Sequence, residues 1–385
     1  MRTFADELAT LRTISLFRSL RTIEGPQQPR VTTGGHTLRN FSSTAYLGLA
    51  SSPEVKDVRI RGVEKWGAGS GASRLVCGTQ SPHLELEAAL AAFKSTEAAL
   101  TFSSGYAAAT GTLSALLQRG DAVILDKLCH ASLIDGARLS GATLRVYPHN
   151  NMDRLAHLLE WARETVKPDA RIMVVTESIF SMDGDRADLP AIAAIKEEHG
   201  ALLLLDEAHA FGITGAGGRG LADETGMAPR VDIHMGTLSK AAGLHGGYVC
   251  GSRALIDLLI NRARSFIYST APPPAIAATA GYVVQHLLPG ECGESRRAKL
   301  HSLLALFAEK MKMPNAPQSA IIPVIIGGEQ AAVDCSARLL ESGFLIPAIR
   351  YPTVPRGSAR LRVTLTAAHE PEDVMALAEA LGRIG

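Results

Sequence analysis

The sequence predicts an α/β protein with a mainly parallel central sheet covered by helices, followed in the chain by a smaller α+β domain. Three observations carry this. Between about residues 85 and 250, short β-branched or leucine-rich runs alternate with amphipathic segments. The runs are apolar at nearly every position instead of every second one. The alternation stops after Pro272-Pro273-Pro274. Strands covered on both faces read as continuous apolar runs, and strands joined through helices pair in parallel.

Along the chain, Phe4, Leu8, Leu11 and Ile14 recur at helical spacing and predict an N-terminal amphipathic helix, with no apolar core and cleavage site of a signal peptide. Residues 1–42 are expected to form this helix and an arm that packs with the small domain. The large domain, 43–280, holds the strand candidates AALTF at 98–102, AVILD at 122–126, LRVY at 144–147, IMVVT at 172–176 and ALLLLD at 201–206. Segments such as Asp153 to Thr165 and Leu189 to His199 read as the joining helices. Ligands of such sheets collect at the carboxyl ends of the strands, which singles out the polar residues Ser103 to Gly105, Asp126 to His130, Glu177 to Ser181 and Asp206 to His209. Beyond the prolines, a helical stretch to about Lys312 and the apolar strand AIIPVIIG open the small domain, 281–385.

Composition narrows the class of function. The chain of 385 residues is 46% hydrophobic and 20% charged, enough to bury a large core. A formal net charge of +1 gives no footprint for nucleic acid or an acidic membrane surface. No apolar run approaches the roughly 20 residues of a membrane span. Five scattered cysteines, Cys77, Cys129, Cys250, Cys292 and Cys335, lack C-x-x-C spacing. A disulfide framework, a structural zinc site and any other bound metal are therefore not expected, and a reducing cytoplasm is.

The strongest local signal is Gly236-Thr237-Leu238-Ser239-Lys240 followed by Gly246-Gly247-Tyr248-Val249. A lysine ringed by small residues between two apolar strands is not placed like a solvated one. Partial desolvation would let it lose its proton near neutral pH, and the small neighbours leave room for a planar ring. Asp206-Glu207-Ala208-His209 follows a strand, so Asp206 emerges where a pyridinium nitrogen could meet it, although a plain helix cap is the alternative. The same four letters spell a nucleotide-hydrolase signature, but that requires a phosphate loop with a Gly-Lys pair, and the sequence has none. Gly215 to Gly220 matches G-x-G-x-x-G without a preceding strand, and reads as a loop beside the site. Ser103-Ser104-Gly105-Tyr106 lies between a strand and a helix and could hold a phosphate, though turn chemistry alone also places such residues there. His130 could stack on an aromatic cofactor or merely begin a helix.

Taken in order, Tyr46-Leu47-Gly48-Leu49, Gly69-Ser70-Gly71, Phe102-Ser103-Ser104-Gly105-Tyr106, His130-Ala131-Ser132, Phe180-Ser181-Met182-Asp183-Gly184, Asp206-Glu207-Ala208-His209, Gly236-Thr237-Leu238-Ser239-Lys240 and Tyr268-Ser269-Thr270 resemble the α-oxoamine synthases. These are fold-type I pyridoxal 5′-phosphate enzymes that condense an amino acid with an acyl thioester and release carbon dioxide. The resemblance implies that Lys240 carries the cofactor as a Schiff base, Asp206 pairs with its ring nitrogen, His130 stacks on the ring and His209 reaches the phenolic oxygen. It further implies that Gly105, Tyr106, Ser181 and Thr237 hold the cofactor, and that Ser269 and Thr270 reach the phosphate in the other subunit of a homodimer with a shared site.

The stretch from Ala348 to Pro355, continuing from Arg360 to His369, is similar to the branch of this family that serves biotin synthesis. That likeness implies L-alanine and a pimeloyl thioester, carried on coenzyme A or on a carrier protein, as substrates. Arg350 is then the carboxylate-binding residue, His130 a further substrate contact, and Arg18 and Thr353 line the acyl path. Two departures keep other members open. Thr44-Ala45 stands where the family often has asparagine, and Arg74 to Gln80 is closer to glycine C-acetyltransferase. A serine palmitoyltransferase-like activity is a more distant alternative. A catalytically silent partner subunit would be expected to have lost Lys240, which is present.

Overall fold

A computed structural model describes residues 3–383. Two strands, β1 (Arg30–Thr33) and β2 (His36–Asn40), precede a central series: β3 (Ala98–Phe102), β4 (Ala122–Asp126), β5 (Thr143–Tyr147), β6 (Ile172–Glu177), β7 (Leu202–Asp206), β8 (Ile233–Thr237) and β9 (Gly247–Gly251). Four more follow, β10 (Ile321–Gly327), β11 (Phe344–Leu345), β12 (Ala348–Ile349) and β13 (Ala359–Thr364). The chain divides into two compact units. The larger comprises Ser52–Ser181 and Asp185–Arg297; the smaller comprises the chain up to Ser51, Met182–Gly184 and the chain from Ala298.

The larger unit is built on a seven-stranded sheet of order β3-β9-β8-β7-β6-β4-β5. Its strands pair in parallel except β9, which lies antiparallel to both β3 and β8, so the expected mainly parallel α/β architecture is present. The apolar runs are continuous because successive side chains feed two different cores. Val123 and Leu125, Met173 and Val175, and Leu204 point into the core beneath the helices Gly105–Leu116 and Ala131–Ser140. Ala122 and Ile124, Ile172 and Val174, and Leu203 and Leu205 point into the core beneath Met152–Thr165 and Leu189–Glu198. Period-two geometry thus makes every position apolar when both faces are covered.

Four adjacent strands of one direction, β8, β7, β6 and β4, end on the polar residues Thr237, Asp206, Glu177 and Asp126. Glu177 and Asp206 are register partners. The helices that follow β4 and β3 begin just beyond the strand ends and are capped there: His130 accepts the N–H of Ser132, and Ser104 accepts the N–H of Ala107. The carboxyl edge of this sheet therefore concentrates polar side chains and helix N-termini.

The smaller unit holds two three-stranded sheets, of order β1-β2-β11 and β10-β13-β12. Every residue of β13 is buried, and Asp373 of the last helix draws the chain together by accepting from both Arg30 and Arg39 at 2.8 and 3.0 Å. The arm contributes Val31, Leu38 and Phe41 to this unit's core. The N-terminal helix forms, over Phe4–Thr13 with a Thr3–Asp6 capping box, yet buries none of its residues; Phe4 is 89% exposed.

Candidate active site

A cavity of about 240 Å³ opens at the carboxyl edge of the large sheet, wholly within the larger unit. Residues from five strand ends line it: Ser104 to Tyr106 after β3, His130 and Ser132 after β4, Glu177 at the end of β6, Asp206 and His209 at and after the end of β7, and Thr237, Ser239 and Lys240 at and after the end of β8. The sheet order brings these together although they span 137 residues of chain, from 104 to 240.

Lys240 Nζ lies 2.8 Å from His209 Nε2. Asp206 is buried, and one of its oxygens accepts the N–H of Ala208 at 2.9 Å. Burial pushes the Asp206 carboxyl above its usual range, while the nearby Lys240 acts in the opposite sense. For His130, burial outweighs the attraction of Asp206 and holds the imidazole below its ordinary value, so that the neutral ring is favoured. Its Nδ1 faces Ser132, 2.7 Å from the hydroxyl and 3.2 Å from the N–H, which fixes the plane of the ring at the cavity wall.

Thr237 organises the turn that carries Lys240. Its hydroxyl donates to Gly246 O at 2.8 Å and accepts the N–H of Ser239 at 3.2 Å. A Cβ at Gly105 would come within 3.3 Å of Thr237 Cβ, so glycine lets the N-terminus of a 12-residue helix abut this turn. Behind Asp206, Glu207 is fully buried and held by Lys94, by the N–H of Ala222 and by His234. Although burial works against its charge, Lys94 and His234 bring the Glu207 carboxyl down to about 2. This ionised anchor fixes the strand end from which Asp206 and His209 project.

Of the residues read from the sequence, Lys240, Gly105, Tyr106, His130, Asp206, His209 and Thr237 meet in the one cavity. Ser181 is buried in the loop after β6 and is not among the lining residues. Ser269 and Thr270 line a separate cleft with Arg74, Thr101 and Ser103. Arg18, Arg350 and Thr353 belong to the smaller unit, where they meet each other: Arg18 Nη2 donates to Tyr351 O at 3.3 Å, Arg350 to the carbonyls of Ser15 and Phe17, and Thr353 N to Arg350 O at 3.0 Å. Glu177 was legible only as the first polar residue of a loop; it is instead a buried member of the site.

The donor set suits pyridoxal phosphate. Its volume approaches the ~300 Å³ lower end of ligand pockets and accommodates one substituted ring. A helix N-terminus with a glycine at its first position offers N–H groups to a phosphate. Lys240 supplies an amine, and the buried carboxyl of Asp206 leaves a demand for a cationic N–H.

Comparison with known proteins agrees with this geometry. The Aminotransferase class I and II family model matches residues 37–381. An 8-amino-7-oxononanoate synthase from Geotalea daltonii is 46% identical over 389 residues, covering 100% of this chain and 98% of that protein. A serine palmitoyltransferase from S. paucimobilis, solved with PLP-myriocin bound, superposes with a TM-score of 0.91 at 28% identity, covering 99% and 96% of the two chains. An 8-amino-7-oxononanoate synthase from Francisella tularensis gives 0.74 at 28% identity, covering 90% and 96%.

The chain belongs to the class I and II aminotransferase family, and it is an enzyme whose cofactor is pyridoxal 5′-phosphate. Within that family it is an α-oxoamine synthase, acting on an amino acid and an acyl thioester.

Proposed function

We propose that this enzyme joins L-alanine to a pimeloyl thioester, with loss of carbon dioxide and the free thiol, to give 8-amino-7-oxononanoate. The observation that carries the reading is the Lys240–His209 contact of 2.8 Å in a cavity that also holds Asp206, in a chain similar over its whole length to 8-amino-7-oxononanoate synthases.

When bound, the cofactor supplies an electron sink for the carbanion at the amino acid's Cα. Lys240 would hold the cofactor through Nζ and, with the amino acid in the site, would take the Cα proton on the same atom. The Cα then bonds to the acyl carbon as the C–S bond breaks and the thiolate leaves, to take a proton from water; the Cα–carboxylate bond breaks to release carbon dioxide, and Lys240 would return its proton to Cα. Asp206 would meet the ring nitrogen and keep it protonated, His130 would stack on the ring, and His209 would meet the phenolic oxygen. Gly105, Tyr106, Ser181 and Thr237 complete the cofactor's binding. Arg350 is the carboxylate-binding residue of this reading, through two parallel hydrogen bonds, and Arg18 and Thr353 contact the acyl chain. Ser269 and Thr270 serve the other site of a homodimer. Five free cysteines suit the reducing cytoplasm that this biosynthetic role implies.

The test is carbon dioxide release and product mass from cofactor-loaded protein given L-alanine or glycine, each with pimeloyl-CoA, a pimeloyl carrier protein, acetyl-CoA or palmitoyl-CoA. Turnover confined to alanine and a pimeloyl donor is the expected result, and the better pimeloyl donor identifies the carrier. Turnover with glycine and acetyl-CoA instead would mean that Arg74 to Gln80 was the better guide to substrate.

A further inference from the structure

Glu177 is a titratable group inside the cavity to which the reaction above assigns nothing. It ends β6, is 2% exposed, and sits in register beside Asp206 on the neighbouring parallel strand, so the two carboxyls leave the sheet on the same face. Its Oε1 is buried without a hydrogen-bond partner, and the backbone N–H of His130 is what holds the carboxyl. The other titratable groups that face it are Lys240 after β8, Asp126 and Cys129 at the end of β4, and His209 across the cavity. Only Lys240 and the His130 N–H favour a charge on Glu177; Asp206 and Asp126 oppose it. Two adjacent buried carboxyls cannot both ionise cheaply, and the one with an orphaned oxygen is the one that keeps a proton.

We infer that Glu177 is a positioning residue for Asp206: it carries the proton of the pair, leaving Asp206 as the sole carboxylate in the cavity and so setting the charge that the cofactor's ring nitrogen meets. The inference rests on the cofactor reading, and not on the choice of substrates. Burial first, and then the charge of Asp206, push Glu177 up to about 8.

The experiment is a pH titration of the visible absorbance of the cofactor-loaded protein, in the natural chain and in Glu177→Gln and Glu177→Asp. Glutamine mimics the protonated acid, so below neutral pH its band should coincide with that of the natural chain. Toward higher pH the natural chain should show an added transition near 8 that Glu177→Gln lacks and Glu177→Asp retains in shifted form. A Glu177→Gln band displaced at pH 6 to 7, or one that keeps the transition, overturns the inference.

Should the variants not fold, infrared difference spectra of the natural chain with ¹³C-labelled glutamate carboxyls decide the matter. A glutamic acid C=O band should be lost as pH rises through about 8, well above the range in which exposed glutamates titrate. No such band overturns the inference. Because the infrared readout works with or without cofactor and needs no substrate, a protein that failed to bind pyridoxal phosphate would sink the cofactor reading separately.

Discussion

Lys240 Nζ and His209 Nε2 approach to 2.8 Å, a hydrogen bond between two nitrogens in which one must donate and the other must present a lone pair. The pair therefore holds one proton on that line, and either nitrogen can be the one that carries it.

Replacing Lys240 by alanine should abolish attachment of the cofactor to the chain, read by mass spectrometry after borohydride reduction. Turnover should fall by at least the roughly 10²–10⁴-fold that a general base contributes. A variant still covalently labelled would place the attachment on another lysine.

Asp206→Asn should still bind cofactor, because the amide is nearly isosteric and can still accept the Ala208 N–H that Asp206 takes at 2.9 Å. What is lost is the negative charge facing the ring nitrogen. Turnover should drop by roughly 10²-fold or more, the scale of removing one preorganised electrostatic group. The check is kcat alongside cofactor affinity by absorbance: a fall in kcat with affinity little changed is expected, and near-normal kcat would remove Asp206 from this role.

How much of this was written in the sequence varies with the range of the interactions. The runs AVILD and IMVVT declared strands covered on both faces, since each residue's demand for burial is local information. The reversal of β9 between β3 and β8 was not legible, because nothing in Gly247–Gly251 specifies which neighbours it pairs with or in which direction. Lys240 and Asp206 stood out through their immediate neighbours. Glu177 did not, because its burial comes from strands ending at Asp126 and Asp206, far from it in the chain. The N-terminal helix shows the converse: its spacing and cap determine a helix, but spacing alone does not supply a surface for its apolar side to cover.

The glycine-rich loop after β7 is structural, and a single methyl group tests it. Gly220 has φ +117°, and a Cβ there would collide with the carboxylate of Glu207. That carboxylate is already committed to Lys94, whose Nζ also donates to Arg219 O at 2.5 Å. Gly220→Ala must strain the backbone and push apart a buried ion pair, a cost of about 1–3 kcal/mol. Thermal unfolding of the cofactor-free variant should show a lowered midpoint, and an unchanged one would mean that the loop yields freely.

His149 gives the larger unit a dependence on alkaline pH. Its Nδ1 lies 3.0 Å from Asp126 Oδ1 and its Nε2 2.6 Å from Asp185 Oδ2, so both ring nitrogens face carboxylates and both must carry hydrogen. Burial opposes the charge, but the hydrogen bonds to Asp126 and Asp185 prevail and raise the imidazole to about 10. Because the folded value lies above the ordinary one, the stabilisation is fully present below about 6.5 and is lost as pH rises through about 10. His149→Gln should lose about 2 kcal/mol near neutral pH, the worth of hydrogen bonds to charged partners at a partly exposed site. The difference between the natural chain and the variant, measured by denaturant unfolding, should narrow progressively as pH rises from about 6.5 to about 10 and stay flat above that. A difference that stayed constant across that range would show that the imidazole acts there by packing against Phe180, whose ring it meets edge-on at 4.3 Å, and not by its charge.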